Sequence, residues 1–297
     1  MMKNLHIVAL LLVQVLSVTA LHAQSPAEPE FSDELAKQKD IYQSKGDAVP
    51  EGYVIGRSLL SYQFILSSDF NRALASLGPK DRWLDIGAGE GRAILDYCTS
   101  KYDAVLQGAE RGGKKAKAIA ISIEDRRTHQ WYQVAAGLEE KQIQYKFGKR
   151  FREYSREELG QFQVITDVLG GFSYTADLSL FMERALGFLE VNGSLHTLLQ
   201  DVRSEQGTNK PHYPGSPYLT EIVNPDGSGV NVCAWLRSIS CVEVTCELKA
   251  AWTPPVEVYR IRKTCADVRV PRLAPVHFEA GTPPERRFQL KDVSAQF

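Results

Sequence analysis

From Arg82 onward, short apolar runs alternate with segments whose apolar residues recur at helical spacing. A parallel sheet covered on both faces requires that alternation. Arg82 to Ile86 reads as the first strand. Ala93, Ile94, Tyr97, Cys98, Lys101 or Tyr102, Val105 and Ala109 follow at helical spacing and predict one long helix ending at Gly112-Gly113. The β-branched run Lys117 to Glu124 reads as the second strand, residues 126–138 as a helix and residues 142–147 as a strand. A short helix over Arg156 to Leu159, a strand over Phe162 to Val168, a helix over Asp177 to Leu189 and a strand over Gly193 to Leu199 continue the series.

Both ends of the chain depart from this rhythm. Gly207 to Gly229 is rich in Gly, Pro, Asn and Ser and predicts a long loop. Val232 to Ser238 reads as a helix, Cys241 to Leu248 and Val256 to Arg262 as two paired strands, and the Pro-rich stretch from Val270 as a tail wrapping the surface. Ahead of the first strand, Ser32 to Lys45 and Leu59 to Leu77 predict two amphipathic helices, the second stopped by Gly78-Pro79. The segment before them is different again. Lys3 precedes an almost wholly apolar run from Leu5 to Leu21, and a polar break follows at Ala23-Gln24. That is the layout of a secretory signal peptide cut after Ala23, with Ala20 as the other candidate position. A membrane anchor retained over residues 5–21 is the alternative, and no other stretch is long and apolar enough to span a bilayer. The expected organisation is a signal peptide over 1–23, a linker and helical cap over 24–79, an α/β domain over 80–265 and an extended tail over 266–297.

Composition limits the partners. With 43% apolar and 24% charged residues the chain is globular, and a formal net charge of −1 supplies no broad basic field to gather nucleic acid. Nucleic acid is therefore not an expected partner, nor is membrane beyond the signal segment. Cys233, Cys241, Cys246 and Cys265 lie in the last third with no metal-ligand spacing. In an exported chain a disulfide among these four is expected, leaving Cys98 as the odd thiol, and the sequence leaves the pairing open. Small buried hydrophobes are the other reading of these cysteines. The six histidines show no ligand spacing either, so no metal is expected.

The chemistry concentrates in Asp85-Ile86-Gly87-Ala88-Gly89-Glu90-Gly91, which follows a strand and opens a helix. Glycines there permit tight turning and close approach of the backbone to a ligand. A dinucleotide fingerprint would need glycine where Arg92 stands, and the nucleotide P-loop ending Gly-Lys-Ser/Thr is absent. The run Trp83-Leu84-Asp85-Ile86-Gly87-Ala88-Gly89-Glu90-Gly91 closely resembles the class I S-adenosylmethionine-dependent methyltransferase superfamily. The resemblance extends through Phe162 to Asp167 and Leu189 to Leu195, and covers Arg82 to Arg262.

The resemblance implies a doubly wound, mostly parallel seven-stranded sheet of the Rossmann-like methyltransferase type, here under an N-terminal helical cap. It implies S-adenosyl-L-methionine as cofactor, with Asp85, Gly87, Ala88, Gly89, Gly91, Glu124 and Asp167 around it. Gly87 and Gly89 would pass against the amino-acid part, and Asp85 would anchor the loop and help meet the ammonium. The acid ending the second strand would hold the ribose. Glu124 is that acid if the long helix forms, whereas Glu110 is the acid if Ala104 to Ala109 is the strand. An acid facing adenine is missing after the third strand, which leaves backbone groups, Phe147 or Phe151 for that role. Asp167-Val168-Leu169-Gly170-Gly171 replaces the Asn-Pro-Pro-Tyr motif of amino-directed enzymes, so the acceptor is a small molecule or protein of unassigned class. Export conflicts with a cofactor made in the cytosol. An exported protein that binds a nucleoside or S-adenosylmethionine without catalysis is therefore the alternative expectation, and a nicotinamide oxidoreductase, weakened by Arg92, is a third.

Overall fold

A computed structural model describes residues 56–101, 115–200, 218–251, 255–279 and 285–291. The expected signal segment, linker and first cap helix lie outside the described residues, as do Glu110 and residues 201–217. Two short helices, α1 (Leu59–Ile65) and α2 (Ser68–Ser76), open the described chain. The single amphipathic segment expected over Leu59 to Leu77 is thus broken. Leu66 turns extended at ψ 171°, and Ser67, also extended, becomes the cap residue of α2. The end of α1 is held by Lys249, whose Nζ donates to Phe64 O at 3.0 Å and Ile65 O at 2.7 Å, a cation placed where the helix dipole favours one.

The alternating segment folds as β1 (Arg82–Ile86), α3 (Arg92–Cys98), β2 (Lys117–Ile121), α4 (His129–Ala136), β3 (Ile143–Lys146), α5 (Arg156–Leu159), β4 (Phe162–Asp167), α6 (Gly171–Tyr174), α7 (Leu178–Phe188) and β5 (Leu189–Gln200). After β6 (Leu219–Val223), β7 (Gly229–Val230) and α8 (Val232–Arg237), the strands β8 (Val242–Lys249) and β9 (Val256–Lys263) return to the sheet. The seven strands lie in the order β3-β2-β1-β4-β5-β9-β8, parallel from β3 to β5, with β9 antiparallel to both neighbours. The doubly wound sheet and its antiparallel end are as expected.

Other expectations fail. The long helix stops at Cys98: the Thr99 hydroxyl donates back to Leu95 O at 2.8 Å, and Ser100 takes a left-handed φ of 59° that no helix can continue. The fifth strand starts at Leu189 rather than Gly193, passing Asn192 at φ 71° within the strand. Neither the loop ending at Gly229 nor the Pro-rich tail is irregular throughout. Leu219–Val223 is a strand, and β10 (Leu273–Glu279) and β11 (Glu285–Leu290) join it in a second sheet ordered β10-β11-β6-β7, with β11 parallel to β6. This sheet docks on α7 and α8. Leu273 N donates to Ser179 Oγ at 2.8 Å, and Trp235 Nε1 donates to Pro271 O at 3.1 Å.

Strand alternation sorts the core into two layers. Leu84, Ile86, Ile119 and Ile165 pack with Phe172, Phe181 and Met182, while Trp83, Ala118 and Val164 pack with Phe70, Leu74, Ile94 and Tyr97. Asp85 and Thr166 therefore face the cap helices, and Asp167 faces α6 and α7.

All four late cysteines are bonded, Cys233 to Cys246 and Cys241 to Cys265. Glu257 stands within ligand reach of Cys233 and Cys246, but those two sulfurs are bonded to each other. Cys98 is free, and burial pushes its thiol up to about 12, where little thiolate exists to react. Peptide mapping of unreduced protein should return these two pairings. Iodoacetamide at pH 8 should label Cys98 only after unfolding. Rapid native labelling or any other pairing would contradict this arrangement.

Candidate functional site

The glycine loop leaves the carboxyl end of β1, next to β4. The strand order reverses there, because the chain winds outward from β1 to β3 and then crosses back. Open α/β sheets bind ligands in that crevice. Gly87, Gly89 and Gly91 all adopt left-handed backbone, at φ 67°, 55° and 70°. A Cβ on Gly87 would fall 2.6 Å from Gly170 Cα, so the β1 loop and the β4 turn meet with no side chain between them. A Cβ on Gly91 would fall 2.4 Å from the Trp131 ring of α4. The loop is stitched down by Ala88 N donating to Ile121 O at 3.0 Å and Tyr145 Oη donating to Gly89 O at 2.5 Å.

Asp85 is fully buried, and its carboxylate has protein partners on both oxygens. Tyr62 Oη donates to both at 3.0 Å, and Thr166 Oγ1 donates to Oδ1 at 2.7 Å while accepting from Trp83 Nε1 at 2.8 Å. Burial pushes the Asp85 carboxyl up to about 7, against the stabilising Thr166 and Tyr62 hydroxyls and the nearby Arg57 charge. Its face of β1 points beneath the cap, so it anchors α1 to the sheet through Tyr62.

Asp167, one strand over, is also fully buried. Its Oδ2 accepts from Phe172 N at 2.6 Å, whereas Oδ1 has no hydrogen-bond partner. That oxygen lies under Gly170, 2.1 Å from where a Cβ would stand. Burial again raises the carboxyl, to about 7; the Phe172 amide opposes the rise, and the Asp85 charge adds to it. The Gly170 amide, which lies near without forming a well-aligned bond to Oδ1, and the Arg286 charge oppose it further. The turn above is tight, with Leu169 at φ 56°, a conformation a branched aliphatic side chain rarely adopts.

Glu124 stands beyond the end of β2, which closes at Ile121 rather than Glu124. Its carboxylate is 69% exposed and pairs with Arg126 at 2.8 Å. Its backbone is close to the glycine loop, because the Tyr145 hydroxyl also approaches Glu124 O at 3.4 Å and accepts from Arg126 N at 3.3 Å. Beside it, Arg127 is gripped by Asp125 and lies over the rings of Tyr132, Tyr145 and Phe147 at 5.1, 5.7 and 5.2 Å. Phe147 is half-exposed there. Phe151 is not available to a ligand, since it is packed between Phe181 and Phe188 in the core. Of the polar and aromatic residues in the loop from Gly207 to Gly229, His212, Tyr213 and Ser216 lie outside the described residues, and Tyr218 is buried. Tyr62, Thr166 and Tyr145 were not singled out by the sequence. Gly170 entered the sequence reading only within Asp167-Val168-Leu169-Gly170-Gly171, the stretch that stands in place of Asn-Pro-Pro-Tyr.

No family model and no curated protein matches the chain. Among solved structures it is similar to a 1,6-didemethyltoxoflavin-N1-methyltransferase from Burkholderia thailandensis, at 13% identity and TM-score 0.45 over 80% of this chain and 90% of that one. It is also similar to the N-methyltransferase NodS from Bradyrhizobium japonicum WM9, at 10% identity and TM-score 0.43 over 77% and 97% of the two chains. A third likeness is to a possible exported protein from Bordetella parapertussis, at 13% identity and TM-score 0.44 over 78% and 79%. Likeness at this level bears on no residue and no activity of this chain. Among the described residues no helix is long and apolar enough to cross a membrane.

The two buried carboxyls make stability depend on pH. Both are raised from about 3.8 to about 7, so the folded state keeps protons that the unfolded chain releases. Their contribution is fully favourable below the unfolded value and is lost as pH rises through the folded one. Asp167→Asn keeps an oxygen for the Phe172 amide but removes one such proton. Its urea midpoint should therefore fall less between pH 5 and pH 8 than that of the wild type; an identical fall would show that Asp167 is ionised throughout.

Proposed function

We propose that the chain is an exported S-adenosylmethionine-dependent methyltransferase acting on a small molecule or a protein. The carrying observation is three left-handed glycines at the carboxyl end of β1, where strand order reverses, beside a buried carboxylate oxygen with no partner. The donor set fits such a cofactor: the three left-handed glycines turn their backbone at the crevice, and Asp167 Oδ1, beneath Gly170, is an acceptor for an ammonium group. When bound, the cofactor supplies a methyl group already activated by the sulfonium. This chain has only to orient the two reactants and exclude water.

In this reading Gly87, Ala88, Gly89 and Gly91 face the cofactor with their backbone, and Asp167 takes its ammonium. Asp85 supports the loop from behind, its oxygens already held by Tyr62 and Thr166. Glu124 exchanges its exposed Arg126 pairing for the ribose hydroxyls. Phe147, half-exposed with Arg127 stacked on it, offers a flat apolar surface for the base. The two disulfides support export, since such bonds persist in oxidising compartments. They also favour a second reading, an exported binder of S-adenosylmethionine or a related nucleoside that transfers no methyl, because the cofactor is made in the cytosol.

Isothermal titration of the chain from Gln24 onward with S-adenosylmethionine, S-adenosylhomocysteine and NAD separates these readings. Binding of the first two with methyl transfer to an extract supports the enzyme, binding alone supports the second reading, and preference for NAD overturns both. Gly89→Val should abolish binding while leaving the circular dichroism of the fold in place. Glu124→Ala should weaken binding by roughly 1.5–3 kcal/mol, the range for lost hydrogen bonds to a charged group. Unchanged affinity in the glycine variant would remove the loop from the site.

A further inference from the structure

Arg286, on β11 of the second sheet, is 1% exposed although its side chain is permanently charged. Such a group is tolerated in a core only when its donors are satisfied. Here they tie β11 to two other segments. Nε donates to Thr220 Oγ1 on β6 at 2.9 Å, Nη1 to Thr175 O at 2.6 Å and Nη2 to Phe172 O at 2.8 Å. The last two carbonyls belong to α6 and its cap, the short turn that follows Asp167. The Phe172 amide then donates to Asp167 Oδ2 at 2.6 Å, so a buried cation and a buried carboxylate grip one residue from opposite sides. The planar fork of arginine suits two carbonyls a turn apart, whereas a lysine would reach only one with comparable geometry.

We infer that Arg286 is a positioning residue of the ligand site. From the last strand of the described chain it fixes the turn over residues 168–175 and, through Phe172, orients the Asp167 carboxylate toward the crevice. The ligand in question rests on the function proposed above; the clamp itself does not. Asp85 and Tyr62 act on Asp167 across the sheet and Arg286 from its own side, while Arg57, ahead of α1, donates to the neighbouring Val168 O at 3.4 Å. Only Arg286 belongs to the second sheet, which gives that sheet a part in the site as well as in the core.

The test uses the full chain, labelled with carboxyl carbon-13 on aspartate, as wild type, Arg286→Lys and Arg286→Met. Amide hydrogen exchange at Phe172 and Thr175 should accelerate by about 10-fold or more in both variants relative to the rest of β4 and β5. The Asp167 titration midpoint should rise by about half a pH unit or more in Arg286→Met and remain near wild type in Arg286→Lys, which keeps the charge. A purely structural role elsewhere would leave that midpoint in place. Affinity for S-adenosylhomocysteine, measured on the same samples, should fall about 10-fold in Arg286→Met, equivalent to ~1.4 kcal/mol. Unchanged exchange and midpoint in folded variants would overturn the clamp, and unchanged affinity beside faster exchange would overturn its role in the site. If Arg286→Met does not fold, wild-type exchange in Arg286→Lys would by itself overturn the inference. Should the wild type not bind the nucleoside, the cofactor reading falls, while exchange and titration still decide the clamp.

Discussion

Two carboxylates buried at the ends of adjacent strands impose the constraint around which this molecule is arranged. Asp85 stands one residue before the end of β1 and Asp167 closes β4, and both are fully removed from solvent. A buried carboxylate must be hydrogen-bonded or remain protonated. Their side chains point to opposite faces of the sheet, so each is satisfied by a different addition. Asp85 takes its hydroxyl donor from the N-terminal cap through Tyr62, and Asp167 takes an amide that is held from behind by Arg286 of the C-terminal sheet. The cap and the second sheet thus brace opposite sides of the same loop pair. That loop pair closes on itself only because Gly87 and Gly170 bring no side chain to the contact.

Much of the fold was legible because the sheet is buried on both faces. Continuous apolar runs such as Ala118 to Ile121 and Val164 to Ile165 mark interior strands without reference to anything distant. Helix ends were legible where a local cap states them, as at Asp177, whose side chain accepts from Leu180 N. The long first helix was misread because periodicity continues past Cys98, whereas the stop is set by Thr99 and Ser100, whose backbone departs from the helix. Apolar spacing reports which face a helix would bury and carries little information on where its hydrogen bonds end. The second sheet was illegible for a related reason. Two of its pairings join consecutive strands, but the one that makes the sheet, β11 lying parallel to β6, links the two ends of the C-terminal third and has no local signal.

The site was half legible. A glycine loop after a strand is a local signal, and the left-handed angles at Gly87, Gly89 and Gly91 are what such a run provides. Partners that complete the loop come from elsewhere in the chain, and their residue types are ordinary. Tyr62 looks like one more apolar position of an amphipathic helix, and its hydroxyl gains meaning only where β1 passes beneath it. Tyr145 is similar: its place in a short strand does not foretell a bond to the carbonyl of Gly89. Arg286 reads as a surface charge in a polar tail and is instead among the least exposed residues. Asp85 is similar again: strand alternation turns it toward the cap, where Tyr62 and Thr166 meet it, and neither partner is foretold by β1.

The unpartnered oxygen of Asp167 connects stability to ligand choice. With its carboxyl raised to about 7, the group passes from mostly neutral to mostly charged across the neutral range. A neutral carboxyl leaves little to gain from a cation, whereas a charged one with a bare oxygen gains a donor and a counter-charge together. A ligand bearing an ammonium group should therefore favour the deprotonated state and release a proton on binding near neutrality. By linkage, the stabilisation such a ligand gives the fold grows with pH over the same interval in which the empty site loses stability. An uncharged nucleoside would show neither effect. On the function proposed above, the charge of the ligand rather than the shape of its base would then set the pH dependence of binding at Asp167.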